Sequence, residues 1–96
     1  MIKHYFVYML ASKANGTIYI GVTNNLPKRI TEHKHDFADG FSKKYRVHRL
    51  VYYEMYTDIK EAIHREKQLK WWKRDWKIKL IIEKNPGWND LYKTIF

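Results

Sequence analysis

HYFVYMLASKANGTIYIGVT, residues 4–23, is the stretch that decides the fold. Residues 4–11 and 17–23 are β-branched and aromatic with period-two character, and Asn15-Gly16 between them are turn residues. The pattern predicts a β-hairpin. Alternation puts Val7 and Met9 on one face of the first strand and Ile18, Ile20 and Val22 on one face of the second, so Tyr8 and Tyr19 must share the other. Gly21 lies beside the tyrosines, and a glycine inside a strand weakens it unless something approaches the backbone closely. The tyrosine face is therefore either an open platform or a second packed layer. The lysine, apolar run and small residues of MIKHYFVYMLASKA imitate a signal peptide, but an aromatic, alternating run fits a strand better.

Beyond the hairpin, NNLPKRITEHKHDF has asparagines able to cap, Pro27 near a first helical position, and Leu26, Ile30 and Phe37 along one stripe, which predicts a helix. Residues 36–49 lack a helical stripe and read as a basic loop leading into a third strand at about 50–56. Asp58 and Glu61 resemble a capping box; Ile59, Ala62, Ile63 and Leu69 then mark an amphipathic helix to about Trp72. RDWKIKLIIEK continues as another helix, Asn85-Pro86-Gly87 stops it, and the tail packs through Trp88, Leu91 and Tyr92. The expected fold is α+β, a small three-stranded, largely antiparallel sheet flanked by helices in the order ββαβαα, as one domain over residues 1–96.

Three polar positions stand out. Arg29 and His33 are four residues apart on one helix face, where a guanidinium can hold a phosphate and an imidazole can accept a proton; the plainer reading is an exposed helix face. Glu66 falls on the apolar stripe of the later helix, at i+7 from Ile59, i+4 from Ala62 and i+3 from Ile63. A carboxylate there must be paired, protonated or metal-bound. Arg65, Lys67 or Lys70 can pair it, or it is a lone ligand for magnesium, which needs only one or two protein carboxylates when phosphate and water complete its shell.

The chain has 96 residues, no cysteine, and 19 Lys and Arg against 10 Asp and Glu, for a net charge of +9. Absence of cysteine removes disulfides and thiolate metal sites and suits the cytoplasm. The apolar runs are too short for a transmembrane helix, which takes roughly 18 residues or more. The charge favours a polyanionic partner, nucleic acid or an anionic membrane surface, over a merely basic soluble protein.

FVYML…NGTIYIGVTNNLPKRITEH…REKQLKWWKRDWK resembles the GIY-YIG nuclease family over about residues 4 to 92, and most closely its small stand-alone bacterial members, named by analogy with the incision subunit of nucleotide-excision repair. Tyr19-Ile20-Gly21 is the second family tripeptide intact; Phe6-Val7-Tyr8 replaces the first and keeps its tyrosine. The resemblance carries catalytic roles to Tyr8, Tyr19, Arg29, His33 and Glu66, close approach to Gly21, and, from many family nucleases, an asparagine role to Asn85. It implies cleavage of phosphodiester bonds in DNA with a single magnesium or manganese ion on Glu66. Arg29 would stabilise the phosphorane-like charge, and a tyrosine, foremost Tyr8, would with His33 activate or orient the attacking water. A role in repair or recombination, on branched or damaged DNA, follows from the same likeness, with RNA left open.

Lys43, Lys44, Arg46 and Arg49 in the loop, and Lys67, Lys70, Lys73, Arg74 and Lys77 on the helices, can track a phosphate backbone or simply solvate the surface. Trp71, Trp72 and Trp76 read as core rather than as base-stacking rings. The alternatives to a nuclease are a nucleic-acid-binding module of the same fold with little or no cleavage and, more remotely, a peripheral membrane binder.

Overall fold

The computed structural model describes residues 2–35 and 40–96, without the side chains of residues 41–43. Phe37, expected on the first helical stripe, and the side chain of Lys43 lie outside the described residues. Three strands form one antiparallel sheet in the spatial order β2-β1-β3: β1 (Tyr5–Ala11), β2 (Ile18–Thr23) and β3 (Arg49–Tyr56). The hairpin between β1 and β2 turns through Lys13–Gly16, where the Gly16 amide donates to the Lys13 carbonyl at 2.9 Å and Asn15 takes the left-handed conformation at φ 58°. Asparagine tolerates that conformation because its short polar side chain bonds locally.

The helices are α1 (Leu26–Lys34), α2 (Gly40–Tyr45), α3 (Ile59–Trp71) and α4 (Arg74–Lys84), with a final 3₁₀ turn at Tyr92–Ile95. The order ββαβαα holds, with one addition. The stretch expected to be a basic loop contains the six-residue α2, too short to show a stripe. Asn25 caps α1, its Oδ1 accepting from the Lys28 amide at 3.2 Å, and Asp58 caps α3, accepting from the Lys60 amide at 2.9 Å.

Both faces of the sheet are buried. Val7, Met9, Ala11 and Ile20 pack with Ala62 and Leu69 of α3 and Ile81 of α4; Tyr8, Leu10 and Leu50 pack with Leu26 and Ile30 of α1 and, at the edge, with the tail residues Leu91 and Tyr92. The tyrosine face is thus a packed layer, not an open platform. Between Met9 and Leu10 the β1–β3 register slips by one residue, so Val51 is an extra residue in β3. The amide of Asn85, buried at the end of α4, donates to the Val51 carbonyl at 3.1 Å and to the Asn89 carbonyl at 2.9 Å, while its Oδ1 accepts from the Asn89 amide. One side chain thereby satisfies the bulge and holds the tail. Among the described residues no helix is long and apolar enough to cross a membrane.

Candidate functional site

Tyr8 and Gly21 are direct partners across β1 and β2. A methyl group on Gly21 would lie 2.4 Å from Tyr8 Oη and 2.5 Å from its Cζ, so the tyrosine ring crosses the strand where β2 has no side chain. This passage explains the glycine by close approach. The ring reaches α1, where Tyr8 Oη and His33 Nε2 share a hydrogen bond of 3.0 Å whose direction follows the imidazole tautomer. Both residues are only 1% exposed. Tyr19, next but one to Gly21 on the same face, closes the cluster, with its ring centre 5.1 Å from that of His33 and 6.3 Å from that of Tyr8. Of the three rings, only Tyr19 reaches the surface, being partly buried.

Arg29 stands one turn before His33 on α1 and lines an open groove of about 300 Å³ together with Tyr5, Val22 and Thr23 of the hairpin and Ile59 and Ile63 of α3. The two isoleucines were expected on the buried stripe of α3; instead they are exposed, at 47% and 37%, because the groove they line is open to solvent. The Arg29 side chain is 44% exposed and sits 3.6 Å from Glu32. An exposed pair of this kind contributes about 0–1 kcal/mol, so the guanidinium exchanges its partner for a phosphate at little cost.

Glu66 lies one turn beyond Ile63 on α3. Its side chain is 15% exposed and its Oε2 pairs with Lys70 Nζ at 3.1 Å, the ion pair that was one of the two readings of this position. The ammonium is itself more than half exposed, and such an i,i+4 pair holds by only about 0.3–0.5 kcal/mol. Among the described residues no three His, Cys, Asp or Glu side chains converge as a metal cage. The donor set fits a hard ion held by one carboxylate with water and phosphate completing its shell.

The other sequence-selected residues divide by use. Lys44 and Arg46 are exposed, with Lys44 Nζ 5.3 Å from the Tyr45 ring centre. Arg49 and Arg74 make hydrogen bonds within the fold: Arg49 donates to the Trp88 carbonyl at 3.0 Å, and Arg74 to the Asn15 and Gly16 carbonyls. Lys77 reaches the Lys70 carbonyl at the end of α3, and burial, then Arg74, lowers its pKa. Trp72 packs on the core, but Trp71 and Trp76, expected there too, are exposed, Trp71 at 91%, because α3 ends at Trp71 and the chain turns outward into α4.

Sequence reasoning missed a carboxylate cluster under α3. Glu54 of β3 accepts from Arg65 Nε at 2.9 Å, from Tyr56 Oη at 2.7 Å and from Tyr52 Oη. Burial raises the Glu54 pKa, but the hydrogen bonds from Arg65 and the tyrosines outweigh it and leave the pKa below the ordinary value. Burial and the same carboxylate push the Tyr56 phenol up to about 12. The i, i+2, i+4 spacing of Tyr52, Glu54 and Tyr56 was the available signal.

The packed tyrosine–histidine cluster, its glycine passage and the arginine groove carry the two family tripeptide positions into one place. The chain belongs to the GIY-YIG family: the family model described as the GIY-YIG catalytic domain matches residues 4–79. It is 37% identical over 83 residues to a UPF0213 protein of Staphylococcus saprophyticus, covering 86% of this chain and 99% of that one. A UPF0213 protein of Staphylococcus haemolyticus is 38% identical over 84 residues, covering 88% and 100%. In structure it is similar to the UPF0213 protein BH0048 of Bacillus halodurans, with a TM-score of 0.57 and 24% identity over 94% of this chain and 95% of that one, a likeness of fold. The family is one of nucleases, which act on nucleic acid and generally use divalent metals.

Proposed function

We propose that this chain is a metal-dependent endonuclease that hydrolyses phosphodiester bonds in DNA, acting as one domain over residues 1–96 in repair or recombination. The observation that carries the reading is the Tyr8–His33 hydrogen bond held beneath Tyr19, one helical turn from an accessible arginine. Arg29 binds the scissile phosphate in the groove and offsets the charge that builds on its oxygens. Tyr19 meets the attacking water at the surface, and its phenolic oxygen orients the water's lone pair toward phosphorus. Tyr8 and His33 are too deeply buried to touch substrate, so they act as positioning residues that hold Tyr19 in place, and the proton of the attacking water passes to solvent. Glu66 would hold the ion, and magnesium or manganese bound there would supply positive charge beside the phosphate oxygens and a more acidic water. Lys70, Lys44 and Arg46 hold the flanking backbone without reading its sequence; the Lys43 side chain is outside the described residues. Asn85 serves the bulge and the tail and is left out of the catalytic set.

The test is incubation of the purified protein with labelled single-stranded, duplex and branched DNA, and with RNA, in magnesium, manganese or chelator. Metal-dependent cutting that falls at least about a hundredfold in Arg29→Ala and in Glu66→Ala, with binding kept by Glu66→Ala, is the expected result. Salt-sensitive binding without cutting in any metal would move the chain to the binding-module reading, which the altered first tripeptide Phe6-Val7-Tyr8 favours.

A further inference from the structure

The outer side of α3 carries an exposed lysine, Lys67, and an aromatic ring, Trp71, that the core and the catalytic groups do not use. Ile63, Lys67 and Trp71 follow one another at i, i+4 and i+8, so they form one line along the helix surface. Ile63 lines the Arg29 groove. The line therefore leads out of the groove, past Lys67, to Trp71 about 12 Å farther along the helix axis. Lys70, next to Trp71 in the last turn of α3, is 54% exposed. At the far end almost the whole indole of Trp71 faces solvent, although Trp72 and Trp76 pack edge to face beside it at 5.9 Å. Glu66, the acid closest to this line along the helix, is paired with Lys70.

Resting on the nuclease reading above, we infer that this line is the track of an unpaired strand leaving the cleavage groove, with Trp71 stacked on one of its bases. Cations at helical spacing match a phosphate backbone, and an indole with an open face gains by covering a base. In a continuous duplex each base face is already covered by its neighbours, so the ring selects nucleic acid with a single-stranded flank. A membrane surface fits less well, because a helix lying on lipid needs an apolar face, whereas Trp71 shares this side of α3 with Lys60, His64 and Lys67, all exposed.

The experiment uses the full chain in chelator, so that nothing is cut, and compares wild type with Trp71→Phe, Trp71→Ala and Lys67→Glu. The ligands are a short oligothymidylate, a blunt DNA duplex, the same duplex with a single-stranded flank, and vesicles containing phosphatidylserine. The expected result is quenching of tryptophan fluorescence by oligothymidylate that is largely lost in Trp71→Phe. Trp71→Ala should weaken binding of the flanked duplex about fivefold or more while changing blunt-duplex binding less than about twofold. Lys67→Glu should weaken the flanked duplex as well and flatten its salt dependence. Thermal melts of the variants should match wild type, since the substituted side chains are exposed. Equal affinity of wild type and Trp71→Ala for the flanked duplex would overturn the inference and leave the nuclease reading standing. So would a Trp71→Ala defect confined to vesicles. If wild type binds none of the nucleic acids, the nuclease reading falls first and takes this inference with it.

Discussion

Gly21 has an ordinary backbone conformation, and only the side chain passing over it explains why no larger residue stands there. In Gly21→Ala the new methyl meets the end of a tyrosine ring that is buried on every side, so the ring must leave His33 or the strands must part. Overpacking of this kind costs about 1–3 kcal/mol. Cleavage should fall about a hundredfold, as expected when the residues that position Tyr19 are displaced, while circular dichroism still reports a folded protein. Tyr8→Phe is the informative companion: it removes only the hydroxyl, with a loss of about 1 kcal/mol in stability, yet it should depress cleavage too if the hydrogen bond to His33 positions the site. Unchanged kcat in Tyr8→Phe would reduce the pair to a packing contact.

At the scale of elements, the join between α4 and the tail holds the molecule's second core together. Asn85 fills the bulge in β3, Lys34 of α1 donates to Asp90 of the tail at 2.5 Å, and Asp90 in turn accepts from the Leu50 amide. Asn85→Ala leaves the Val51 carbonyl and the Asn89 backbone groups without these bonds, a loss of about 2–3 kcal/mol. For a domain of this size that lowers Tm by about 10 °C or more. Activity per folded molecule at low temperature should stay near wild type. A normal melt with lost cleavage would give Asn85 a role at the site.

For the whole molecule, charge and burial together shape the dependence of stability on pH. Glu54 has a lower pKa folded than the ordinary 4.5, so its contribution is fully present above that value and is lost as pH falls through the folded pKa. The Tyr56 phenol has a folded pKa of about 12 against an ordinary 10.0, so it favours the folded state below pH 10 and loses that effect as pH rises toward 12. The net charge of +9 grows as carboxylates are protonated, and self-repulsion adds to the acid-side loss. Melting curves across pH should therefore show a plateau through the neutral range and a fall at each end. Glu54→Gln should melt lower at neutral pH and show a shallower acid-side fall; an unaltered acid limb would mean the cluster does not set it.

Alternation and capping made the hairpin, β3, α1, α3 and α4 legible from the chain, because periods of two and 3.6 are local properties that survive without neighbours. The same logic placed Tyr8 with Tyr19 and Arg29 with His33. The short α2 escaped it, since six residues hold too few turns to display a period. Which groups are accessible was settled only by tertiary packing: α1 packs on the sheet with its His33 turned inward against Tyr8, leaving Tyr19 and Arg29 at the surface, and Trp71 ends α3 facing solvent. Asn85 and Glu54 acquire their partners from segments distant in sequence, Val51 in one case and Arg65 in the other. A stripe says which side of a helix is apolar; only the surfaces that meet it decide how far the cover extends and which polar group it traps.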